Sequence, residues 1–256
     1  MLKFVGQFDE ATKKDIALWL MSNYTIDGDP IEAMRDQDNG IIINVAGNVA
    51  VTNYSIESLT GGLFKWGRVS GTFNCSNCNN LKSLEGAPQM VQKEFCCDFC
   101  KGLIDLIGSP EVVGGEFCCN DCTGLKSLKN TTKRACVDFS CSGCTGLVDL
   151  VGAPKTKYDF NCSKCTNLRS LKGSPETIRG TFFCNGCTSL INLIGAPKKI
   201  GSSIWCTECT NLESLKGLPE LRLDKDSYLL HIYCLNCPKL SKNDPTAKKE
   251  ARWIRW

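Results

Sequence analysis

The chain has 256 residues, 42% of them hydrophobic, which is enough apolar material for a substantial buried core. Thirty basic and 27 acidic side chains give a net charge of +3, which excludes a bulk electrostatic attraction to nucleic acid or to an anionic membrane. Apolar runs such as Ile16 to Met21 fall far short of the roughly 20 residues that a membrane helix needs, so we expect no membrane partner.

Cysteine is unusually frequent, with 19 residues, an odd number that internal disulfides cannot use up. The N-terminus lacks the basic-then-apolar pattern of a secretory signal. We therefore expect a cytoplasmic protein with reduced thiols.

Residues 1–47 are predicted to form an N-terminal cap. Thr12 with Asp15 three residues later is a helix-start pattern. The buried face of this helix would consist of Ile16, Trp19 and Leu20. Ala46-Gly47 is predicted to join residues 41–45 to the following strand in a hairpin.

Residues 48–240 are predicted to form a repeat domain. Residues 48–59 resemble a degenerate first coil, and from Phe73 the motif F-x-C-x-x-C-x-x-L-x-x-L-x-G-x-P recurs every 22 residues, with one step of 21 and one insertion. The first cysteines of the eight copies are Cys75, Cys97, Cys119, Cys141, Cys162, Cys184, Cys206 and Cys234. The second cysteines are Cys78, Cys100, Cys122, Cys144, Cys165, Cys187, Cys209 and Cys237. A unit this short cannot bury its own apolar face, so the copies must stack into a solenoid of eight to nine coils, each giving one short parallel strand.

Two places interrupt the regular pattern. Residues 129–132, Lys-Asn-Thr-Thr, replace the Gly-x-Pro turn in one coil, where we expect a local irregularity. After the last repeat, Asp244-Pro245 favours a capping helix from Thr246 to Trp256, within a C-terminal cap of residues 241–256.

The repeat resembles the leucine-rich repeat, whose signature L-x-L-x-x-N/C-x-x-L corresponds here to residues 95–103. The motif L-x-S-L-x-G-x-P, followed by V-x-G-x-F-x-C, resembles the repeats of short leucine-rich-repeat proteins from large tailed bacteriophages. The resemblance implies that Phe95 and Cys97 point inward and that Cys100 takes the place of the inward Asn or Cys that closes the turn. It predicts a leucine-rich-repeat solenoid, a parallel β-strand stack with small helical caps at both ends.

Eight C-x-x-C pairs raise the alternatives of zinc, iron–sulfur or disulfide cross-links between coils. Inward cysteine also packs well as a small apolar residue, and zinc knuckles generally present their ligands outward from a turn. We therefore predict reduced core thiols, with no metal and no cofactor.

Nucleophilic catalysis would require a cysteine beside the single histidine, His231. The outward cysteines are predicted to be Cys96 and Cys118, five or six strand spacings away, or roughly 25 Å. The glycine-rich turns lack the contexts of phosphate-binding loops. We therefore expect no catalytic site.

The outward positions of the predicted strands form two columns with a distinctive composition. One column contains four consecutive acids, Glu94, Glu116, Asp138 and Asp159. The other contains three consecutive aromatics, Phe183, Trp205 and Tyr233. Stacked carboxylates repel one another, and large aromatics are enriched at interfaces, so this strand face is predicted to bind a protein. The alternative is that the aromatics only cover the end of the stack under the C-terminal helix.

A second pattern alternates from coil to coil on the flank that follows the first leucine. At two positions of this flank, odd coils carry charged residues, and even coils carry apolar ones: Ile104, Ile107, Val148, Val151, Ile191 and Ile194. Exposed apolar strips usually mark contacts, although these side chains could instead fold back over neighbouring leucines.

These features predict a non-enzymatic protein-binding scaffold. The resemblance to phage proteins implies a phage-encoded adaptor or inhibitor of a host protein, located in the host cytoplasm. The alternative is a structural component, a homo-oligomer or virion part, assembled through the apolar flank. The C-terminal tail contains the basic residues Lys248, Lys249, Arg252 and Arg255. It is predicted to form part of the cap, and nucleic-acid binding by this tail is a minor alternative.

Overall fold

The computed structural model describes residues 2–38, 40–132, 134, 136–219, 231–241, 244–246 and 254–255. The chain forms a parallel β-solenoid of about seven turns with a spacing close to 22 residues, and a short helix lies near its N-terminus. The predicted stack of parallel strands is therefore confirmed. The number of turns is slightly below the eight to nine coils expected. The eight main strands from Phe73 to Tyr233 are joined by seven connections, and each connection completes one turn of the solenoid.

The N-terminal elements are β1 (Leu2–Val5), α1 (Glu10–Asn23), β2 (Tyr24–Arg35), β3 (Ile41–Val51) and β4 (Lys65–Val69). The main column of coil strands is β5 (Phe73–Asn74), β7 (Phe95–Cys96), β9 (Phe117–Cys118), β10 (Phe139–Ser140), β11 (Phe160–Asn161), β13 (Phe182–Phe183), β15 (Ser203–Trp205) and β16 (His231–Tyr233). A second column is formed by β6 (Met90–Val91), β8 (Val112–Val113), β12 (Thr177–Ile178) and β14 (Lys199–Ile200). The last strand is β17 (Ile254–Arg255).

Helix α1 begins one turn earlier than predicted. Its N-cap is Asp9, whose carboxylate accepts hydrogen bonds from the backbone N–H of Thr12 at 2.8 Å and from the Thr12 hydroxyl at 2.7 Å. Thr12 is thus the residue that is capped, and the predicted cap was wrong. Ile16 and Leu20 are buried as expected, and Trp19 is half-buried.

The hairpin predicted at Ala46-Gly47 is wrong, because β3 continues through both residues. The hairpin instead joins β2 to β3, which pair antiparallel with a register shift between Gly28 and Ile31. Gly28 and Gly47 face each other at this irregularity, and a Cβ on Gly47 would lie 2.0 Å from the carbonyl oxygen of Asp27. Glycine here permits the close approach of two backbones rather than a chain reversal. β3 then pairs parallel with both β4 and β5, which connects the cap to the solenoid.

The core is a set of side-chain columns that run along the solenoid. The first residue of each F-x-C strand points inward, and its aromatic ring packs on the ring of the next coil at centroid distances of 5.1 to 5.8 Å. These rings belong to Phe73, Phe95, Phe117, Phe139, Phe160 and Phe182, all essentially inaccessible. Both cysteine columns and both leucine columns are buried beside them. Phe95, Cys97 and Cys100 therefore point inward, as the resemblance implied.

The irregular coil interrupts the second strand column. β4, β6 and β8 pair in succession, and β12 pairs with β14, but between these groups the described residues form only an isolated bridge from Cys136 to Thr156. The Thr156 hydroxyl is buried and has no hydrogen-bond partner among the described residues. The irregularity expected from residues 129–132 is thus present in the structure.

The C-terminus departs from the predicted helix. Pro245 and Thr246 are helical, as expected for a start at Asp244-Pro245, but Ile254 and Arg255 form β17, which pairs parallel with β16. The helix therefore does not reach Trp256, and residues 247–253 lie outside the described part of the chain. Ile254 is buried as the next member of the inward column after Ile232. β17 also pairs with backbone hydrogen-bonding groups that β16 would otherwise expose.

Candidate functional site

The interior thiols act as hydrogen-bond donors between coils. The second cysteine of a coil donates its S–H to the carbonyl oxygen of the first cysteine one coil earlier, as Cys144 does to Cys119 at 2.9 Å. Six other pairs repeat this bond at 3.0 to 3.2 Å, with donors Cys100, Cys122, Cys165, Cys187, Cys209 and Cys237. The carbonyl that follows each main strand from β5 to β15 is thus satisfied by a thiol, which gives the second cysteine column a structural role.

The pKa values of the interior thiols shift in both directions: the hydrogen bond with the Cys144 thiol is the main cause that lowers the pKa of Cys122. Burial is the main cause that raises the pKa of Cys75 and of Cys162 well above the ordinary value, so both stay protonated. All nineteen cysteines are free thiols in this structure. Among the described residues, no group of three or more His, Cys, Asp or Glu side chains is arranged to hold a metal ion.

His231 lies on β16, far from the two cysteines on the outer face. Along the sheet, five strand steps separate β16 from β9, which carries Cys118, and six separate it from β7, which carries Cys96. The His231 ring is instead near the Tyr233 ring, with centroids 6.2 Å apart. The structure does not bring the candidate dyad together.

The acidic column lies on the outer face of the main strands, but two of its carboxylates have internal partners. Asp138 accepts from the backbone N–H of Asp159 at 2.8 Å, and Asp159 accepts from that of Thr181 at 2.7 Å. Glu94 is exposed and accepts from the Thr72 hydroxyl, which lowers the pKa of its carboxyl group. Glu116, Asp138 and Asp159 are half-buried. Part of this column therefore ties neighbouring coils together, a role that the sequence analysis missed because backbone donors one coil away leave no sequence signal.

The aromatic column forms a continuous ladder. The Trp205 and Tyr233 rings stack with centroids 4.1 Å apart, and the Phe183 ring lies 6.4 Å from that of Trp205. All three side chains are half-buried, so each keeps an accessible part on the outer face. The strand register aligns Phe183 with Trp205, Trp205 with Tyr233, and Tyr233 with Arg255.

Most side chains of the apolar flank are exposed. Ile104, Val148 and Ile191 are each about half accessible, at 53%, 51% and 50%. Ile107 and Ile194 are also exposed, and Val151 is half-buried. The side chain that directly follows the first apolar residue of each pair, such as Asp105, accepts a hydrogen bond from the backbone N–H of the second apolar residue. This bond stabilises the turn that carries the pair.

An apolar cavity in the N-terminal cap was not predicted. Its volume is about 320 Å³, and it lies between α1 and the strands β1 and β2. The residues that line it are Leu2, Ala17, Leu20, Met21, Tyr24, Ile26 and Ile31. It arises from the packing of α1 against the two strands that flank it in sequence, β1 and β2, an arrangement that the repeat pattern does not indicate.

Comparison with protein-family models, curated proteins and solved structures found no match for this chain. Within the described residues, no helix combines the length and the hydrophobicity needed to cross a bilayer.

Proposed function

We propose that this protein is a non-enzymatic, cytoplasmic binding scaffold of the leucine-rich-repeat class, and that it holds a protein partner on the outer face of its main strands. The observation that carries the proposal is the half-buried aromatic ladder of Phe183, Trp205 and Tyr233 on the same face as the acidic column. Rigid aromatic side chains with an accessible surface are typical anchors of protein interfaces.

The two columns together favour a basic, extended partner segment. Arginine side chains can stack on aromatic rings and pair with carboxylates, and coils about 4.8 Å apart offer such groups at regular intervals. Glu94 and Glu116 supply carboxylates at one end of the face, and the ladder supplies rings at the other. The resemblance to phage repeat proteins supports a role as a phage-encoded adaptor or inhibitor of a host protein.

The proposal is tested by capture from a bacterial lysate with immobilised wild-type and variant proteins. Trp205→Ala should weaken capture most, and the charge reversals Glu116→Lys and Asp138→Lys should weaken it less. All three should keep melting temperatures close to wild type, except that Asp138→Lys also loses one hydrogen bond between coils. Val148→Ser, on the flank, is the matched control and should capture normally. Unchanged capture by all three face variants would contradict the proposal.

A structural role is the second candidate function, and the exposed flank favours it. Ile104, Val148 and Ile191 lie on alternate coils and leave about half of each side chain accessible to a second copy or to a virion component.

A further inference from the structure

Three cysteines lie outside the two interior columns: Cys96, Cys118 and Cys136. Cys136 is buried in the second strand column. Cys96 and Cys118 occupy the outward positions of two adjacent strands, β7 and β9, where other coils carry Asn74, Ser140 or Asn161. The repeat does not require a thiol at this position, so these two need another explanation.

The backbone places these two thiols directly beside each other. Cys96 and Cys118 are register partners, and the Cys97 backbone N–H donates to the Cys118 carbonyl oxygen at 2.9 Å. Adjacent strands lie about 4.8 Å apart, within the Cα separation that a disulfide accepts. The Cys96 side chain is the main cause that raises the pKa of the Cys118 thiol, followed by burial, as expected for neighbouring sulfurs.

The accessibility of the two thiols differs. Cys96 is half-buried, whereas Cys118 is only 8% accessible. The interior pair Cys206 and Cys234 is also adjacent, with 3.1 Å between the Sγ atoms, but both side chains are buried away from any reagent. Of these two pairs, only Cys96 with Cys118 combines adjacency with access from solvent.

We propose that Cys96 and Cys118 form a reversible disulfide by exchange with a small, cationic disulfide. The Cys96 thiolate attacks one sulfur of the reagent RSSR, which breaks its S–S bond, forms a mixed disulfide on Cys96 and releases RS⁻. The Cys118 thiol then gives up its proton to a released RS⁻, attacks the Cys96 sulfur and expels the second RS⁻. Two protein thiols are oxidised, one small disulfide is reduced to two thiols, and the two thiol protons are taken up by the released thiolates.

The surrounding charge selects the reagent. The carboxylates of Glu116 and Asp98 are among the causes that raise the pKa of Cys118, and Glu94 lies two residues before Cys96 on the same face. An anionic disulfide is repelled by these groups, and a cationic one is attracted. This proposal does not depend on the proposed binding function.

The test exposes the reduced full-length protein to cystamine, a cationic disulfide, or to glutathione disulfide, an anionic one, followed by alkylation and peptide mapping. Trypsin cleaves after Lys101 and so separates the two cysteines. We expect wild-type protein to form a cross-link between the two peptides without retained cysteamine, and to react faster with cystamine than with glutathione disulfide. Cys118→Ser should keep a stable mixed disulfide on Cys96, and Cys96→Ser should leave Cys118 unmodified over the same period.

Both variants should fold, because Ser140 already occupies the equivalent position one coil later. A wild-type protein that retains cysteamine on Cys96 without the cross-link would overturn the proposal. So would equal reactivity of the two single variants, or a cross-link confined to Cys206 and Cys234. Faster reaction with glutathione disulfide would overturn the charge selection.

Discussion

Asp98 is a half-buried carboxylate at a position that every other coil fills with a neutral side chain. It accepts a hydrogen bond from the Asn120 backbone N–H at 2.6 Å, as amide and hydroxyl side chains do in neighbouring coils. Burial nevertheless raises the pKa of Asp98, and the Glu116 carboxylate adds to the effect. The hydrogen bond of Asp98 therefore stabilises the contact between two coils, whereas its buried negative charge destabilises the fold.

The raised pKa of Asp98 predicts a stabilising substitution. A carboxyl group with a folded-state pKa above the unfolded value destabilises the fold when ionised; this penalty begins to shrink as the pH falls below the folded-state pKa and is gone below the unfolded-state pKa. Asp98→Asn keeps an acceptor oxygen and removes the charge, so it should raise the free energy of unfolding at pH 7 and give a smaller gain at pH 4. Denaturant titrations at the two pH values measure the difference. An equal gain at both, or a loss at pH 7, would show that burial of the charge is not the cause.

Within a coil, the clearest contrast between interior and surface is made by two consecutive residues. Leu147 is fully buried in the first leucine column, whereas Val148 is 51% accessible on the apolar flank. Leu147→Ala should lower the free energy of unfolding by about 2–5 kcal/mol through lost burial and a residual cavity. The effect should extend along the stack, because each coil is stabilised mainly by its neighbours.

Val148→Ser is the matched control for this element and should change the free energy of unfolding by no more than about 0.5 kcal/mol. Thermal or chemical unfolding of the two single variants gives the comparison. If Val148→Ser destabilised the chain as much as Leu147→Ala, the flank would belong to the core and the self-assembly alternative would lose its support.

The repeated elements were predictable because they share one period. A constant spacing places Phe95, Cys97 and Leu103 in columns, and parallel stacking is the arrangement that buries all of them at once. The capping elements have no repeat to identify them: the β2–β3 pairing and the strand at Ile254–Arg255 depend on tertiary contacts. The acidic and aromatic residues of the outward columns could be listed from the repeat, and their side chains are half-buried or exposed. The hydrogen bonds that Asp138 and Asp159 accept could not be predicted, because their donors are backbone N–H groups one coil later.

At the scale of the whole molecule, the charges on the apolar flank bear on whether the protein is a monomeric scaffold or a self-assembling component. Basic residues lie between the apolar positions, among them Lys126, Lys129, Arg169 and Lys172, and two copies packed through this flank would bring like charges together. We therefore expect a monomer over a range of concentrations in size-exclusion chromatography with light scattering. A stable oligomer that dissociates without unfolding when Ile104, Val148 and Ile191 are all replaced by serine would instead establish the structural role.

The account of the whole molecule depends on the interior thiols being packing and hydrogen-bonding groups rather than ligands or cross-links. Thiol titration in denaturant, combined with elemental analysis, tests this most directly on protein expressed in the cytosol and purified without oxygen and without added reductant. We predict a value close to the full 19 thiols and well under one zinc or iron per chain. A stoichiometric metal content of several ions per chain would contradict the account, because the C-x-x-C pairs would then be metal ligands.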